Sequence, residues 1–436
     1  MARIGLFTFP GMGHVNPMAA LGRRLQSLGH EVVFFQVQDL EEPIRAAGLG
    51  FQAIGREAFP PGTLRRLDDS LAALHGIAAL RHIIQRQALL CRMHLETLPD
   101  MLRDGGWDLL LVDALEFAPH LVAEHLGMPV MTIDLLPPLF NETSAPPFCF
   151  GWPHWDGVLG RLRNAIGNQL FFTAGWPILR LLHATRAAWG MPPIRDLNAL
   201  HSPRTRIGQM PRFMDFPRRR LPANFHYAGP FIDDAARPPV AFPWERLTGQ
   251  PLVYASMGTL QNGSTAIFRM IAEALCGLGV QLVISTGGGL APDRLGVLPG
   301  MPIVVRFAPQ VALLQRAALV ITHGGINTAL ETLSCGKPMI VVPVTSDQPG
   351  MAARLAHLGV ADVIPAAKLT AGRLRASARH VLDTASYRQR AAICRAELTE
   401  LRGLDRAAGL VSDELAAIAG ERTVRGRQVV SGWFAG

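Results

Sequence analysis

The residues best suited to chemistry stand where turns follow apolar runs. His14 lies in TFPGMGHVNPM, just past the run RIGLFTF, in a stretch that reads as a loop. Gly11 and Gly13 leave room there for a ligand to approach the backbone. Asp113 closes the run WDLLLVD. A carboxylate in that position is costly to bury unless it is hydrogen-bonded or paired. Paired with His14, it would orient the imidazole and stabilise it once protonated, which makes a general base. Asp134, closing MTIDL, competes for the same role; Asp113 is preferred because Asp134 runs directly into an aromatic stretch. As a dinucleotide motif GMGHVN falls short: position 16 is Asn where a third glycine belongs, and no acidic residue closes the second strand-like run. A nicotinamide site is not expected. By position alone, His14 reads equally as a surface loop histidine.

A denser set occupies VVRFAPQ and the segment LVITHGGINTALETLSCGKPMIVVPVTSDQ. LVITHGG reads as a strand running into a glycine turn, and INTALETLSCG as a helix with Gly336 at its C-terminal end. The free N–H groups and positive dipole end of such a helix form an anion site suited to phosphates. His323 and Thr328 can add donors, and Glu331, one turn on, can accept from a ribose diol. Asp347 and Gln348 make an acceptor and donor pair suited to sugar hydroxyls. Phe307 can stack on a base. Each has a plain alternative, Phe307 as core and Glu331 as a solvated helix face, but all of them at one sheet edge in this order point to a nucleotide sugar.

Positioning these groups falls to alternating elements. Residues 3–9, 30–37, 51–55, 107–113 and 128–135 read as strands, with helices at 17–28, 39–48 and 117–126 between them. Strand and helix in alternation predict a parallel sheet covered on both faces. Residues 137–190 break the pattern. They hold Trp152, Trp155, Trp176 and Trp189 beside Phe140, Phe148, Phe150, Phe171 and Phe172. The stretch reads either as an insertion with its own small core or as a wall for an apolar ligand. A Pro-rich segment at 233–250 reads as a linker. The alternation then restarts with strands at 251–258, 280–286, 301–307, 319–325 and 339–344 and helices at 265–278, 326–335, 348–358, 369–383 and 386–401. The last sixteen residues show no clear period.

Composition removes several classes. The chain is 49% hydrophobic and 17% charged over 436 residues, which excludes intrinsic disorder and leaves room for two or three domains. Apolar stretches are broken by Pro, Gly, His or Arg well short of the ~20 residues a membrane span needs. The N-terminus lacks the long apolar region of a signal peptide. Five well-separated cysteines without a CxxC pair or a Cys/His cluster predict free thiols, a cytoplasmic location and no metal site. The net charge of +8 is nearly all Arg, spread at helix-like spacing, with one dense run at Arg218, Arg219 and Arg220. No nucleic-acid-binding signature accompanies it. Solvated helix faces explain most of it, and attraction to a diphosphate or to an anionic lipid surface remains as an expectation of peripheral membrane contact.

The segment from Phe307 to Gln348 resembles the donor-binding signature of the family-1 nucleotide-sugar glycosyltransferases: an aromatic residue before A-P-Q, then T-H-x-G-x-N-S/T, a Glu, G-x-P and D/E-Q. Here these read FAPQ, THGGINT, Glu331, GKP and DQ. GMGHVNPM is similar to the family's start, and the stretches QMPRFMDFPRRRLPANFHYAGPF and ASMGT are most similar to its bacterial branch with zeaxanthin (carotenoid) and macrolide-type glycosyltransferases.

The resemblance implies a GT-B fold: two Rossmann-like α/β parallel-sheet domains facing a cleft. Residues 1–232 would hold the acceptor, 233–250 link, 251–410 hold the nucleotide sugar, and 411–436 form a tail. It implies His14 as base and Asp113 as the residue that steadies it. Phe307, Ala308 and Gln310 would meet uracil, and Glu331 the ribose. Thr259, His323, Gly325, Asn327 and Thr328 would hold the diphosphate, and Asp347 and Gln348 the sugar. Phe140, Phe148, Trp152 and Phe171 are the expected acceptor-lining residues. The plant version of the motif has Trp where this chain has Phe307, so the smaller ring bears on the choice between uracil and thymine donors. The implied reaction is inverting transfer of a hexose, glucose being expected, from a UDP-sugar co-substrate to a hydroxyl of an apolar acceptor such as a hydroxylated carotenoid. No metal and no further cofactor are implied. A macrolide, flavonoid, steroid or lipid acceptor, a nucleotide-sugar epimerase of the same fold, and a nucleotide-sugar-binding protein without turnover are the alternatives.

Overall fold

Continuous apolar runs become central strands in the computed structural model, which describes residues 1–72, 74, 76–233, 240–258 and 264–433. The first sheet contains β1 (Arg3–Phe7), β2 (Glu31–Gln36), β3 (Gly50–Ala53), β4 (Leu109–Asp113), β5 (Val130–Asp134), β6 (Arg206–Gly208) and β7 (Phe225–Tyr227). Its seven strands are all parallel, in the order β3-β2-β1-β4-β5-β6-β7. The second contains β8 (Leu252–Ser256), β9 (Gln281–Ser285), β10 (Ile303–Val305), β11 (Ala317–Thr322), β12 (Met339–Val341) and β13 (Ala361–Val363). Its six strands are also parallel, in the order β10-β9-β8-β11-β12-β13.

The order reverses beside β1 in one sheet and beside β8 in the other. Helices leaving neighbouring strands on opposite faces open a crevice at such a point, and ligands bind there. The two crevices are therefore fixed by topology: β1 and β4 for the first half, β8 and β11 for the second. Burial on both faces explains why the strands read as apolar runs. Along β8, Leu252 and Tyr254 enter one core cluster while Val253 and Ala255 enter the cluster on the other face.

Three strands escaped the sequence reading, β6, β7 and β13, because three residues each carry no period. Two helices, Thr63–Ala72 and Gly76–Arg103, fill the interval before β4, and two more, Gly157–Ala174 and Trp176–Ala188, occupy much of the irregular aromatic stretch. Of the expected linker, residues 234–239 lie outside the described residues, and the rest contains a short turn at Trp244–Arg246.

The chain's end differs from the expected tail. A helix runs Gly403–Trp433, and its Ala407, Ala408, Val411 and Ile418 join the core of the first sheet. Arg24 meets Asp405 at 2.9 Å and Arg204 meets Glu414 at 2.7 Å. By packing, the return to the first half begins at Gly403, ahead of the 410/411 boundary. Only glycine fits at that turn, since a Cβ on Gly403 would lie 2.5 Å from the Gly229 and Pro230 backbone.

Candidate active site

The backbone turns sharply between Phe7 and the helix Met12–Ser27, with Gly11 N–H donating to the Phe9 carbonyl at 2.8 Å. His14 therefore sits in the first turn of a helix, not in a loop as its surroundings suggested. Its Nδ1 is 2.6 Å from Asp113 Oδ2 at the end of β4. The carboxylate is fully buried and also accepts from the Phe9 N–H at 3.2 Å and the Leu115 N–H at 3.1 Å. A carboxylate only accepts, so Nδ1 carries the proton and Nε2 keeps its lone pair. Burial alone would lower the pKa of His14; the charge and hydrogen bond of Asp113, helped by Asp347 and Glu116, more than offset it and raise the pKa above its ordinary value. Asp134 is no rival, because Arg206 engages both its oxygens at 2.5 and 2.6 Å. Behind the turn, Arg86 donates to the Pro10 carbonyl at 3.0 Å and stacks over Phe9, whose ring lies 5.3 Å from that of His14.

Facing this dyad are the loops after β11 and β12, with Gly258, just past β8, beside them. The helix Ile326–Ser334 starts at Gly325, and its first-turn N–H groups point toward the strand ends. Gly258 and Gly324 take left-handed backbone angles, and a Cβ on Gly258 would come 2.6 Å from the His323 ring. Burial pushes the His323 pKa down to about 4 against a hydrogen bond to the Ser256 backbone, so the ring is neutral near pH 7. A neutral ring has one N–H, and here it serves the Ser256 carbonyl, so His323 stands beside the turn as a wall, neither a cation nor a free donor.

Glu331 is 3% exposed, which excludes the solvated helix face. It accepts from Gln310 Nε2 at 2.7 Å, and Gln310 Oε1 accepts from the Tyr254 hydroxyl at 3.1 Å. Phe307 is 51% exposed beyond β10, with its ring edge against Gly288, so it is a platform and not core. Ala308 is partly buried beside it, and Thr328 is partly exposed in the first turn of its helix. Thr259 lies outside the described residues.

Two expected donor contacts have other duties. Asn327 crosses the cleft: its Nδ2 donates to the Gly13 carbonyl at 2.5 Å and its Oδ1 accepts from Gln209 at 3.0 Å. Gln348 turns its Oε1 onto its own loop, accepting from the Val344 and Thr345 N–H groups at 2.8 and 3.1 Å. Asp347 stands at the start of the helix Gln348–Leu358; burial raises its pKa to about 6 despite the opposing charge of His14. The dyad and Asp347 thus feel one another from opposite halves.

The aromatic stretch divides. Phe140 is buried between Phe225 and the Arg206 guanidinium, at 5.0 and 4.4 Å, and lines no open wall. Phe148 is nearly buried and meets the Phe171 ring edge-on at 5.4 Å; Trp152 packs on Phe150 at 4.6 Å. The Phe148 carbonyl lies where a Cβ on Gly350 would be, so this segment touches the loop that carries Asp347.

Sequence reasoning missed Arg86, Gln209 and a buried network joining the halves. Asp215 meets Arg218 at 2.5 Å and Arg354 at 2.8 Å, and accepts from the Tyr227 hydroxyl at 2.8 Å. The stretch QMPRFMDFPRRR held the signal, but nothing in it says which charge finds which.

The arrangement sets a partly exposed His on a buried Asp, together with a second carboxylate, opposite a helix N-terminus flanked by an exposed ring and a buried Glu. Among the described residues, no three His, Cys, Asp or Glu side chains gather as a metal site would require, and no helix is long and apolar enough to cross a membrane. The family model described as UDP-glucoronosyl and UDP-glucosyl transferase matches residues 207–402. The chain is 30% identical to a zeaxanthin glucosyltransferase of Pantoea ananas over 94% of this chain and 95% of that protein. It is 32% identical to a zeaxanthin glucosyltransferase of Pseudescherichia vulneris over 97% of this chain and 100% of that protein. Among solved structures, the glycosyltransferase of kitacinnamycin superposes with a TM-score of 0.75 at 23% identity, covering 95% of this chain and 99% of that one.

Proposed function

The chain belongs to the UDP-glucoronosyl and UDP-glucosyl transferase family of GT-B glycosyltransferases, and from that premise we propose that it moves glucose from UDP-glucose to a hydroxyl of an apolar acceptor, a hydroxylated carotenoid such as zeaxanthin. The observation that carries the reading is the His14–Asp113 dyad, 2.6 Å apart, set across the cleft from Asp347 and the Ile326–Ser334 helix. The names of two relatives support the acceptor.

In this reading, His14 Nε2 removes the acceptor's hydroxyl proton, and Asp113 stabilises the imidazolium that forms. The oxygen attacks the anomeric carbon from the side opposite the diphosphate, inverting that centre. The backbone N–H groups of Gly325, Asn327 and Thr328 receive the departing diphosphate charge, and the neutral His323 ring walls the turn beside them. Donors fixed in this way can do that work without a metal. Phe307 stacks on the base, Ala308 meets its edge and Glu331 accepts from the ribose. Asp347 and Gln348 hold the sugar, Gln348 through its amide N–H₂ because its oxygen serves the loop. Phe148, Trp152 and Phe171 bound the acceptor site.

The experiment supplies UDP-glucose or dTDP-glucose with zeaxanthin, a macrolide aglycone or a flavonoid, with and without EDTA. UDP release that requires zeaxanthin, persists in EDTA and yields a β-glucoside supports the reading. Release without acceptor points to hydrolysis or epimerisation, and turnover of the flavonoid or macrolide alone removes the carotenoid.

A further inference from the structure

The helix Gly157–Ala174 is built inside out for a protein in water. The side turned to the protein carries Gly160, Asn164, Gly167 and Asn168. Asn164 and Asn168 each donate at 2.9 Å, to the carbonyls of Thr143 and Glu142. A Cβ on Gly160 would fall 2.1 Å from the Trp155 carbonyl, and one on Gly167 would fall 2.7 Å from the Trp152 ring. No larger residue fits there, so the helix cannot rotate to hide its other face. That other face presents Val158, Leu159, Leu162, Ile166 and Leu170, each 53% to 77% exposed. At 3.6 residues per turn these fall on one continuous stripe. Trp155 and Trp176 stand exposed at its two ends. A contiguous apolar stripe of this kind marks an interaction surface.

We propose that this helix docks the protein on an anionic bilayer, lying in the plane of the headgroups with its apolar stripe inserted.

Charge selects this occupant over a second apolar protein face. Arg161 and Arg163 border the stripe on opposite sides, and Arg180 is exposed on the next helix. Arg219, from the dense basic run, shares a crevice with Trp155, Gly157 and Arg161. Between Trp155 and Arg180 the sole carboxylate is Asp156. The Arg163 guanidinium lies 4.3 Å from the Trp155 ring centroid, pairing a cation with an amphipathic ring as headgroup-level anchors do. With Asn and Gly on its inner side the helix is unsuited to span, and at ~1.5 Å per residue it is about 27 Å long, a fit for the interfacial plane.

The same helix reaches the cleft through Phe171, whose ring meets Phe148 beside Gly350. An acceptor dissolved in the bilayer would thus enter next to the surface that holds the enzyme. Docking stands without the acceptor reading; this delivery step rests on it.

The test is flotation of the full-length protein with vesicles of equimolar phosphatidylglycerol and phosphatidylcholine, without donor or acceptor. The wild type is expected to float, to shift its tryptophan emission to the blue, and to bind more weakly at high salt or to phosphatidylcholine alone. The double variant Leu162→Glu, Ile166→Glu is expected to lose on the order of 10²-fold in binding. Val297→Glu, at a residue 88% exposed outside this helix, is expected to bind as the wild type does. Circular dichroism and thermal melting confirm that both variants fold. With a detergent-dispersed acceptor the double variant should turn over normally; with a vesicle-embedded acceptor it should slow. Equal binding by the double variant, or no flotation by the wild type, overturns docking. A concentration-dependent dimer that the same two substitutions abolish, without vesicle binding, assigns the stripe to a second copy and also overturns it. Normal docking with no transfer to any apolar acceptor would leave docking intact and remove the acceptor reading instead.

Discussion

His14 serves as the proposed base only while its Nε2 lone pair is free, so the acid limb of the rate profile reports its pKa. Asp113 raises that pKa. The imidazolium therefore persists above its ordinary range, and kcat/KM should fall as pH drops through a value above ~6.5. In Asp113→Asn the limb should move to lower pH while the plateau rate falls, which a pH–rate profile separates from simple loss of protein. Because Asp347 titrates near 6 in the field of His14, both apparent values belong to the coupled pair. His14→Ala should lose about 10²–10⁴-fold in kcat with donor affinity unchanged, read by calorimetric titration of UDP. A variant that turned over normally would end the assignment. Phe307→Ala should show the opposite split, a donor KM raised by up to about tenfold with kcat nearly kept, as expected for a lost ring-stacking contact.

At the scale of elements, the donor site is a strand, a glycine turn and a helix, and the turn has no spare volume. Gly258 sits at φ +78°, and any Cβ there would meet the His323 ring. Gly258→Ala is expected to displace that ring and weaken UDP binding by at least ~10-fold, while an exposed substitution elsewhere in the second half, such as Val297→Ala, leaves it unchanged. The measurement is UDP titration alongside a melting curve, since a variant that merely loosened the fold would lower both together. The helix Met12–Ser27 shows why His14 was legible as a residue but not as a helical one: GMGHVNP looks like a loop because Gly and Pro punctuate it. Pro17 falls in the second turn, where its missing N–H leaves the Gly13 carbonyl without its i+4 donor; Asn327 donates to that carbonyl from across the cleft, and Gly11 supplies the entry turn.

At the scale of the molecule, the halves are held by buried charge as well as by apolar contact. Arg354 of the second half is wholly buried against Asp215 of the first, with Arg218 and Tyr227 completing the shell. Burial opposes ionisation of Asp215, but the two guanidinium charges and their hydrogen bonds hold its carboxyl down at about 2. Its folded pKa lies below the unfolded one, so its stabilisation is complete above ~pH 4 and is lost as pH falls toward 2. Asp215→Asn leaves the buried Arg354 guanidinium without its carboxylate and Arg218 with only Glu142, 3.8 Å away, and should cost about 3–5 kcal/mol in urea unfolding at pH 7. It should also flatten the acid decline of Tm between pH 4 and pH 2, which a structural change elsewhere would not do.

The sequence by itself determined the two parallel sheets, the donor motif from Phe307 to Gln348, and the pairing of His14 with an aspartate at a strand end. Those features are local: a strand buried on both faces must read apolar, and a phosphate-binding turn must read glycine and then helix. Tertiary structure alone decided the rest. It gave Asp134 to Arg206, leaving the already preferred Asp113 to His14, and put the Asn327 side chain on the Gly13 carbonyl. It buried Phe140, folded the end of the chain onto the first core, and turned the apolar face of Gly157–Ala174 outward. Each of those outcomes depends on which distant group arrives first at a given charge or surface. Spacing along the chain does not carry that information, because the competing partners lie tens to hundreds of residues apart.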